Sequence, residues 1–202
     1  MTTAQKTYNV AVMGATGVVG REVLDRLKDF IPLKNLIPFA SERSRGKTID
    51  WNGKKVGVQV IDDQKFSDID LAIFSAGASV SKKFAPIFAE KGIFVVDNSS
   101  AWRMDKNIPL VVPEVNPHVV NKETKIIANP NCSTIQMLVA LKPIYDAVGI
   151  TRINVATYQA VSGTGKEAIE ELAGQTARLL NGQPVEAKVY PRQIAFNALP
   201  HI

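Results

Sequence analysis

The only cysteine of the chain, Cys132, lies in a sequence context that favours a reactive thiol. It follows Asn129, Pro130 and Asn131, and an apolar-periodic stretch that predicts a helix to about Ala147 begins at the cysteine. At a helix N-terminus, the positive end of the macrodipole and the unpaired first-turn amides favour a thiolate. An unpaired cysteine is commonly a small buried hydrophobe, but such a residue falls more often inside an apolar run. We therefore interpret Cys132 as a nucleophile.

A glycine-rich turn near the start of the chain is the second chemical signal. Gly14, Gly17 and Gly20 follow a short β-rich run at 8–13 and precede an amphipathic stretch that predicts a helix, with Val19, Val23, Leu24 and Leu27 on one face. Glycines at such a turn let the backbone approach a pyrophosphate and aim helix amides at it. The spacing is GxxGxxG and not the commoner GxGxxG, so a plain turn stays an alternative for the motif alone. The predicted cofactor contacts here are Gly14, Thr16, Gly17, Val18 and Val19.

The end of a second predicted strand, at 36–40, indicates which dinucleotide binds. An NAD-preferring site usually has an acidic residue near this point, which binds the ribose 2′-hydroxyl. Here the strand leads into the sequence SERSR at 41–45, whose hydroxyls and guanidinium groups suit a 2′-phosphate. We expect NADP, with Ser41, Arg43 and Ser44 as contacts. Glu42 argues against this expectation, and a solvated basic loop is the alternative.

The remaining pattern alternates strands and helices. Buried strands are predicted at 69–74, 93–97 and 125–128, and a helix at 80–91. The stretch 47–61 alternates around Asn52-Gly53, a two-residue hairpin signal. This alternation predicts an α/β fold with a Rossmann-like doubly wound parallel sheet and right-handed crossovers. We place this dinucleotide-binding domain at residues 1–130.

Residues 131–202 are predicted to begin an α+β catalytic or dimerisation domain. It contains the helix that starts at Cys132, an alternating strand at 152–160, a turn at 162–165, a helix at 166–180 and a proline-rich tail.

The composition excludes several classes of protein. The chain has 202 residues, of which 46% are hydrophobic and 21% charged, as in ordinary globular proteins. One cysteine permits no intrachain disulfide and, with two histidines, forms no metal-ligand cluster, so we expect no metal and a reducing cytoplasmic location. The net charge of +5 is scattered without a basic stripe, which argues against nucleic-acid binding. No apolar run is long enough to cross a bilayer, and the N-terminus lacks signal-peptide features.

Five motifs, in this order, closely resemble the bacterial aspartate-semialdehyde dehydrogenase family. They are GATG at 14–17, SSAWR at 99–103, VPEVN at 112–116, NPNCST at 129–134 and QAVSGTG at 159–165. The resemblance covers essentially the whole chain. The related N-acetyl-glutamyl-phosphate reductases share the overall plan but differ around the cysteine, and they rank second.

The resemblance implies NADPH-dependent reductive dephosphorylation of L-aspartyl-4-phosphate to aspartate-4-semialdehyde and phosphate, in the branch that leads to lysine, threonine and methionine. Attack by Cys132 on the acyl phosphate would give a thioacyl-enzyme that can accept hydride. First-turn amides near Cys132 and Ser133 are suited to stabilising the tetrahedral oxyanion.

The same resemblance assigns roles to five further residues. Arg103 is the candidate for the substrate phosphate, because its fork of donors suits phosphate geometry, although a surface arginine is the plainer interpretation. Gln159 resembles the substrate-positioning glutamine of the family, with a satisfied strand-end amide as the alternative. Asn131 either caps the helix or contacts phosphate, and capping is favoured. Ser162 and Gly163 lie on the turn that approaches the nicotinamide in the family.

The family also needs a histidine as general acid and base. Neither His118 nor His201 matches its position, which lies beyond residue 202, together with further substrate contacts and most of the dimer-forming sheet. We therefore expect this chain to be an N-terminal portion that binds NADP weakly and turns over negligibly alone, and the complete protein to be a homodimer or homotetramer. A non-catalytic NADP-binding module with a relic cysteine is the hypothesis from a different class.

Overall fold

Short apolar runs rich in valine, isoleucine and phenylalanine form a six-stranded parallel sheet. The computed structural model describes residues 6–61 and 66–200, which form two compact units that divide after Val155. The strands are β1 (Tyr8–Met13), β2 (Leu33–Ala40), β3 (Thr48–Trp51), β4 (Lys54–Gly57), β5 (Gln59–Val60), β6 (Leu71–Phe74), β7 (Phe94–Asp97) and β8 (Ile126–Ala128). The helices are α1 (Val18–Phe30), α2 (Ala78–Glu90), α3 (Cys132–Val148) and α4 (Lys166–Leu180).

The order of the strands confirms the predicted doubly wound topology. The sheet runs β5-β2-β1-β6-β7-β8, and every adjacent pair is parallel. The chain moves from β1 to β2 in one direction and from β6 to β7 in the other, so β1 and β6 flank the switch point at which such sheets bind ligands. The separate antiparallel pair β3–β4 turns at Asn52 and Gly53, whose φ angles of 48° and 74° fit the predicted hairpin.

Alternate residues of the strands pack on opposite faces of the sheet. On one face, α2 buries Phe84 and Phe88, and the Phe88 ring lies 5.4 Å from that of Phe74. On the other face, α1 buries Leu24 and Leu27 against β1. Because β1 to β2 and β6 to β7 are opposite in direction, right-handed crossovers require helices on both faces, as observed.

Two sequence expectations about burial and pairing are wrong. Residues 152–160 alternate in polarity, but they are exposed and form no strand, because no neighbouring segment among the described residues offers them a hydrogen-bonding ladder. The apolar face predicted for α1 includes Val19, yet Val19 is 39% exposed, while Leu24 is 4% exposed. Val19 lies in the first turn of α1, between the exposed Val18 and the buried Gly20.

Two side chains of α4 hold the tail of the second unit, residues 181–200, in place. Gln175 is only 4% exposed, and its Oε1 accepts from the backbone N–H groups of Ile194 and Ala195 at 2.9 and 3.1 Å. The carboxylate of Glu171 accepts from the backbone at 188–190. Burial raises the pKa of Glu171, but these hydrogen bonds outweigh it and lower the pKa overall. The tail is therefore ordered by side chains and not by a backbone ladder.

None of the helices in the described part of the chain is long and apolar enough to span a membrane. His201 lies outside the described residues. The predicted boundary between residues 130 and 131 stays a prediction.

Gly20→Ala should destabilise the first unit by about 1–3 kcal/mol, the usual cost of overpacking. A Cβ at Gly20 would lie 2.1 Å from the carbonyl oxygen of Gly14, so α1 would have to move away from the turn. Gly174→Ala in α4 is the matched control, because a Cβ there meets nothing within 4 Å, and it should be neutral or stabilising. Urea unfolding followed by far-UV circular dichroism measures both, and equal effects would contradict the prediction.

Gln175→Leu should destabilise the second unit by about 1–3 kcal/mol, because the N–H of the buried Ala195 and that of the partly buried Ile194 lose their acceptor. Hydrogen exchange at 186–195 should accelerate more than exchange in α4 itself. Gln183→Leu, at an exposed position of the same tail, is the control and should leave this exchange unchanged. Unaltered protection in Gln175→Leu would show that the tail is held by other contacts.

Candidate active site

The glycine-rich turn joins β1 to α1 at the switch point of the sheet. Gly14 has a φ of +84°, and a Cβ there would lie 2.4 Å from the carbonyl oxygen of Ser75, so only glycine fits. The backbone N–H groups of Gly14 and Ala15 donate to the carbonyl of Phe39 at 2.9 and 3.0 Å. Gly17 is the N-cap of α1 and makes no side-chain capping hydrogen bond, so a bound anion can take the place of a cap. This turn fits a pyrophosphate.

The loop after β2 contacts the glycine-rich turn. Ser44 is 6% exposed, and its hydroxyl lies 3.2 Å from that of Thr16. Ser41 and Arg43 flank it with exposed side chains, on and beside a 3₁₀ turn at Glu42–Ser44. The structure thus brings together the two segments that the sequence assigns to the dinucleotide. A pyrophosphate on the first segment would place a ribose 2′-phosphate within the range of the second.

Cys132 is the first residue of α3 and is exposed. Asn131 is the N-cap, and its Oδ1 accepts from the backbone N–H of Ser133 at 3.0 Å and from the Ser133 hydroxyl at 2.7 Å. The Cys132 thiol donates to the same oxygen at 3.9 Å. The capping role favoured for Asn131 is thus confirmed, and the thiol lies at the positive end of α3, as the sequence predicts.

Arg103 lies beside the segment that leads to this cysteine. Its Nε donates to the carbonyl of Asn129 at 3.0 Å, and its Nη2 donates to the carbonyl of Asn98 at 3.3 Å. The Asn129 side chain in turn donates to Asn98 Oδ1 at 2.7 Å. Arg103 is half-buried and held from two directions, so it is not the solvated surface arginine of the alternative interpretation.

A buried acid, which the sequence analysis missed, shapes the turn that carries Arg103. Asp97 is fully buried at the end of β7, and it accepts from the backbone N–H and the hydroxyl of Ser99 at 3.1 and 2.8 Å. Ser99 accepts in turn from the backbone N–H of Ala101 at 3.1 Å. The Trp102 indole donates to Ser81 in α2 at 2.9 Å. An acid directly after four apolar strand residues was the available signal.

The remaining predicted residues belong to the second unit. Gln159 is exposed and lies in no regular element. Ser162 and Gly163 are exposed on a 3₁₀ turn at Val161–Gly163, in which the Gly163 N–H donates to the Ala160 carbonyl at 3.2 Å. Cys132 and Arg103 belong to the first unit.

The described residues contain no group of three histidine, cysteine, aspartate or glutamate side chains that could hold a metal ion. His118 lies on a 3₁₀ turn at Pro117–Val119 and is exposed.

Two domain families and several individual bacterial proteins match most of this chain. The family described as "Semialdehyde dehydrogenase, NAD binding domain" matches residues 9–123, and "Semialdehyde dehydrogenase, dimerisation domain" matches residues 141–202. Aspartate-semialdehyde dehydrogenase of Shewanella violacea is 58% identical over 96% of this chain and 59% of its own length. Aspartate-semialdehyde dehydrogenase 2 of Vibrio cholerae has the same identity and coverage. This chain thus spans about three-fifths of the length of these relatives.

Solved structures agree with the sequence matches. Aspartate semialdehyde dehydrogenase II of Vibrio cholerae, complexed with ASA, superposes with a TM-score of 0.89 at 57% identity, over 98% of this chain and 60% of that one. The Candida albicans enzyme with NADP has a TM-score of 0.62 at 28% identity, over 71% of this chain and 48% of that one. From its two matched domains, this chain belongs to the semialdehyde dehydrogenase family.

Proposed function

We propose that this chain is the nucleotide-binding and nucleophile-bearing part of an NADP-dependent, phosphorylating aspartate-semialdehyde dehydrogenase. The reaction converts L-aspartyl-4-phosphate into aspartate-4-semialdehyde and phosphate, in the branch that supplies lysine, threonine and methionine. The observation that carries the proposal is the link from Arg103 through Asn129 to the cysteine helix. The Arg103 guanidinium is hydrogen-bonded to the segment that leads to a thiol at a helix N-terminus, which supports an anion site beside the proposed nucleophile.

Cys132 is the proposed nucleophile. Its thiolate attacks the acyl carbon, a carbon–sulfur bond forms, and the bond from carbon to the phosphate oxygen breaks as phosphate leaves. The Ser133 N–H donates to the Asn131 cap at 3.0 Å, so other backbone N–H groups in the first turn of α3 are proposed to stabilise the developing oxyanion. Asn131 fixes the start of the helix and therefore the direction of these amides.

Arg103 is the proposed ligand of the substrate phosphate. Two of its nitrogens donate to backbone carbonyls, which fixes the plane of the guanidinium and leaves its other donors for an anion. A fixed guanidinium loses less conformational entropy when it binds phosphate than a mobile one does. Gln159 is proposed to position the remainder of the substrate, as the family resemblance implies.

When NADPH is bound, it supplies the hydride that reduces the thioacyl group. The turn at Gly14 and Gly17 is proposed to hold the pyrophosphate, with Thr16, Val18 and Val19 beside it. Ser41, Arg43 and Ser44 are proposed for the 2′-phosphate, and Ser162 and Gly163 for the nicotinamide end. The Thr16–Ser44 hydroxyl pair and the uncapped N-terminus of α1 support this assignment.

The matched dimerisation domain supports self-association, and we propose a homodimer or homotetramer in the cytoplasm. N-acetyl-glutamyl-phosphate reduction is the second candidate, but the named relatives favour the aspartyl substrate. A non-catalytic NADP-binding module is the remaining alternative, and turnover of the wild type compared with Cys132→Ser distinguishes it.

Cys132→Ser should lower turnover by about a thousandfold or more, because the oxygen nucleophile is far weaker at neutral pH. The assay follows NADPH formation from NADP, phosphate and aspartate-4-semialdehyde. It uses the complete natural polypeptide to which these residues belong. NADPH affinity should stay within about twofold of wild type, since the thiol is not a predicted cofactor contact.

Two comparisons sharpen this test. N-acetyl-glutamate semialdehyde in the same assay separates the two reductase candidates, and higher turnover with it would overturn the aspartyl assignment. NADPH binding without any turnover in the wild-type protein, and equal NADPH affinity in Cys132→Ser, would instead support the non-catalytic module.

Arg103→Gln should raise the KM for phosphate about 10- to 100-fold, the usual effect of losing a charge-assisted hydrogen bond, with a smaller change in kcat. Arg103→Lys should recover part of the loss, because it restores the charge but not the fork. Arg26→Gln, at an exposed ion pair on α1, is the matched control. An unchanged phosphate KM in Arg103→Gln would contradict the assigned role.

A further inference from the structure

Glu42 occupies the place at which NAD-preferring sites carry an acidic residue. It lies just beyond Ala40, the last residue of β2, where a carboxylate normally accepts from the ribose 2′-hydroxyl. An unpaired carboxylate here would also repel a 2′-phosphate. The loop therefore combines a residue that favours NAD with Ser41 and Arg43, which favour NADP.

Arg45 holds the carboxylate of Glu42 in a two-point ion pair. Its Nε donates to Oε1 and its Nη2 donates to Oε2 at 2.8 Å, so both carboxylate oxygens are occupied. The hydrogen bond from Arg45 lowers the pKa of Glu42. The Glu42 carboxylate is thus ionised at neutral pH, and both of its oxygens accept hydrogen bonds from the Arg45 guanidinium.

The ion pair is built on an anchored turn. The Ser44 N–H donates to the carbonyl of Ser41 at 2.8 Å, and the Arg45 N–H donates to the carbonyl of Glu42 at 3.0 Å. Ser44 is buried against Thr16 of the glycine-rich turn. The backbone therefore holds Glu42 and Arg45 at a fixed spacing, beside the segment assigned to the dinucleotide.

We propose that Arg45 is a specificity-determining residue that favours NADP over NAD by neutralising Glu42, and that it does not bind the 2′-phosphate itself. The inference rests on the proposed binding of a dinucleotide at this loop. One acidic and two basic side chains give the loop at 41–46 a formal net charge of +1. Without Arg45 this formal charge would be zero, and the Glu42 carboxylate would lose the guanidinium that engages both of its oxygens.

Four forms of the full chain test this proposal: wild type, Arg45→Gln, Glu42→Gln and the double variant. The dissociation constants of NADPH and NADH are measured by titrating nucleotide fluorescence. Arg45→Gln should lower the preference for NADPH over NADH by about two- to fivefold, the range expected for one exposed charge. The double variant should return this preference to the wild-type value, because it restores the net charge of the loop.

Arg26→Gln is the matched control, since Arg26 forms an exposed ion pair with Glu22 on α1, and it should change neither constant. An equal loss of NADPH affinity from Arg45→Gln with and without Glu42→Gln would mean that Arg45 contacts the phosphate directly, and the proposal would be wrong. An unchanged preference in Arg45→Gln would overturn it as well. If either of these two results is found and the wild type still binds NADPH, the inference about Arg45 is wrong but the proposed nucleotide site is not contradicted. If wild type binds neither nucleotide, the site and the inference fall together.

Discussion

Parallel strands all end at the same edge of their sheet, and the candidate site of the first unit depends on this constraint. The glycine-rich turn follows β1, and the loop with the Glu42–Arg45 pair follows β2. The Arg103 turn follows β7, and the cysteine segment follows β8. The proposed nucleotide contacts and the proposed nucleophile come from stretches far apart in sequence, and the sheet brings the starting points of these stretches to one edge. Each turn then needs only local hydrogen bonds to aim its side chains.

The sequence predicts the elements well where the pattern is a local property of the chain. The bounds of β1 and α4 agree with the predicted ones, because apolar periodicity and glycine punctuation act within a few residues. The prediction of a strand at 152–160 is wrong because strand pairing is not a local property of the chain. Alternation describes the faces of a strand, but a strand also requires a partner, and alternation does not say whether one is present.

The candidate site shows the same division. The position of Cys132 at a helix start and its cap Asn131 could be predicted, because a capping residue and a helix start are adjacent in sequence. The Asn98–Asn129 hydrogen bond could not be predicted, since it joins residues 31 positions apart. Glu42 was the ambiguous residue of the nucleotide loop. Its partner Arg45 was visible in the sequence, but only the geometry of the turn shows that both carboxylate oxygens are engaged.

Both groups that hold Arg103 are main-chain carbonyls, those of Asn98 and Asn129. Every amino acid supplies a carbonyl, so substitution at either position leaves the acceptors themselves in place. The orientation of this guanidinium is therefore buffered against sequence drift as long as the two turns keep their path. Its vulnerability lies instead in whatever shapes those turns, and above all in the buried carboxylate of Asp97. Mutational tolerance at this site should follow backbone geometry more closely than the identity of the contacting residues.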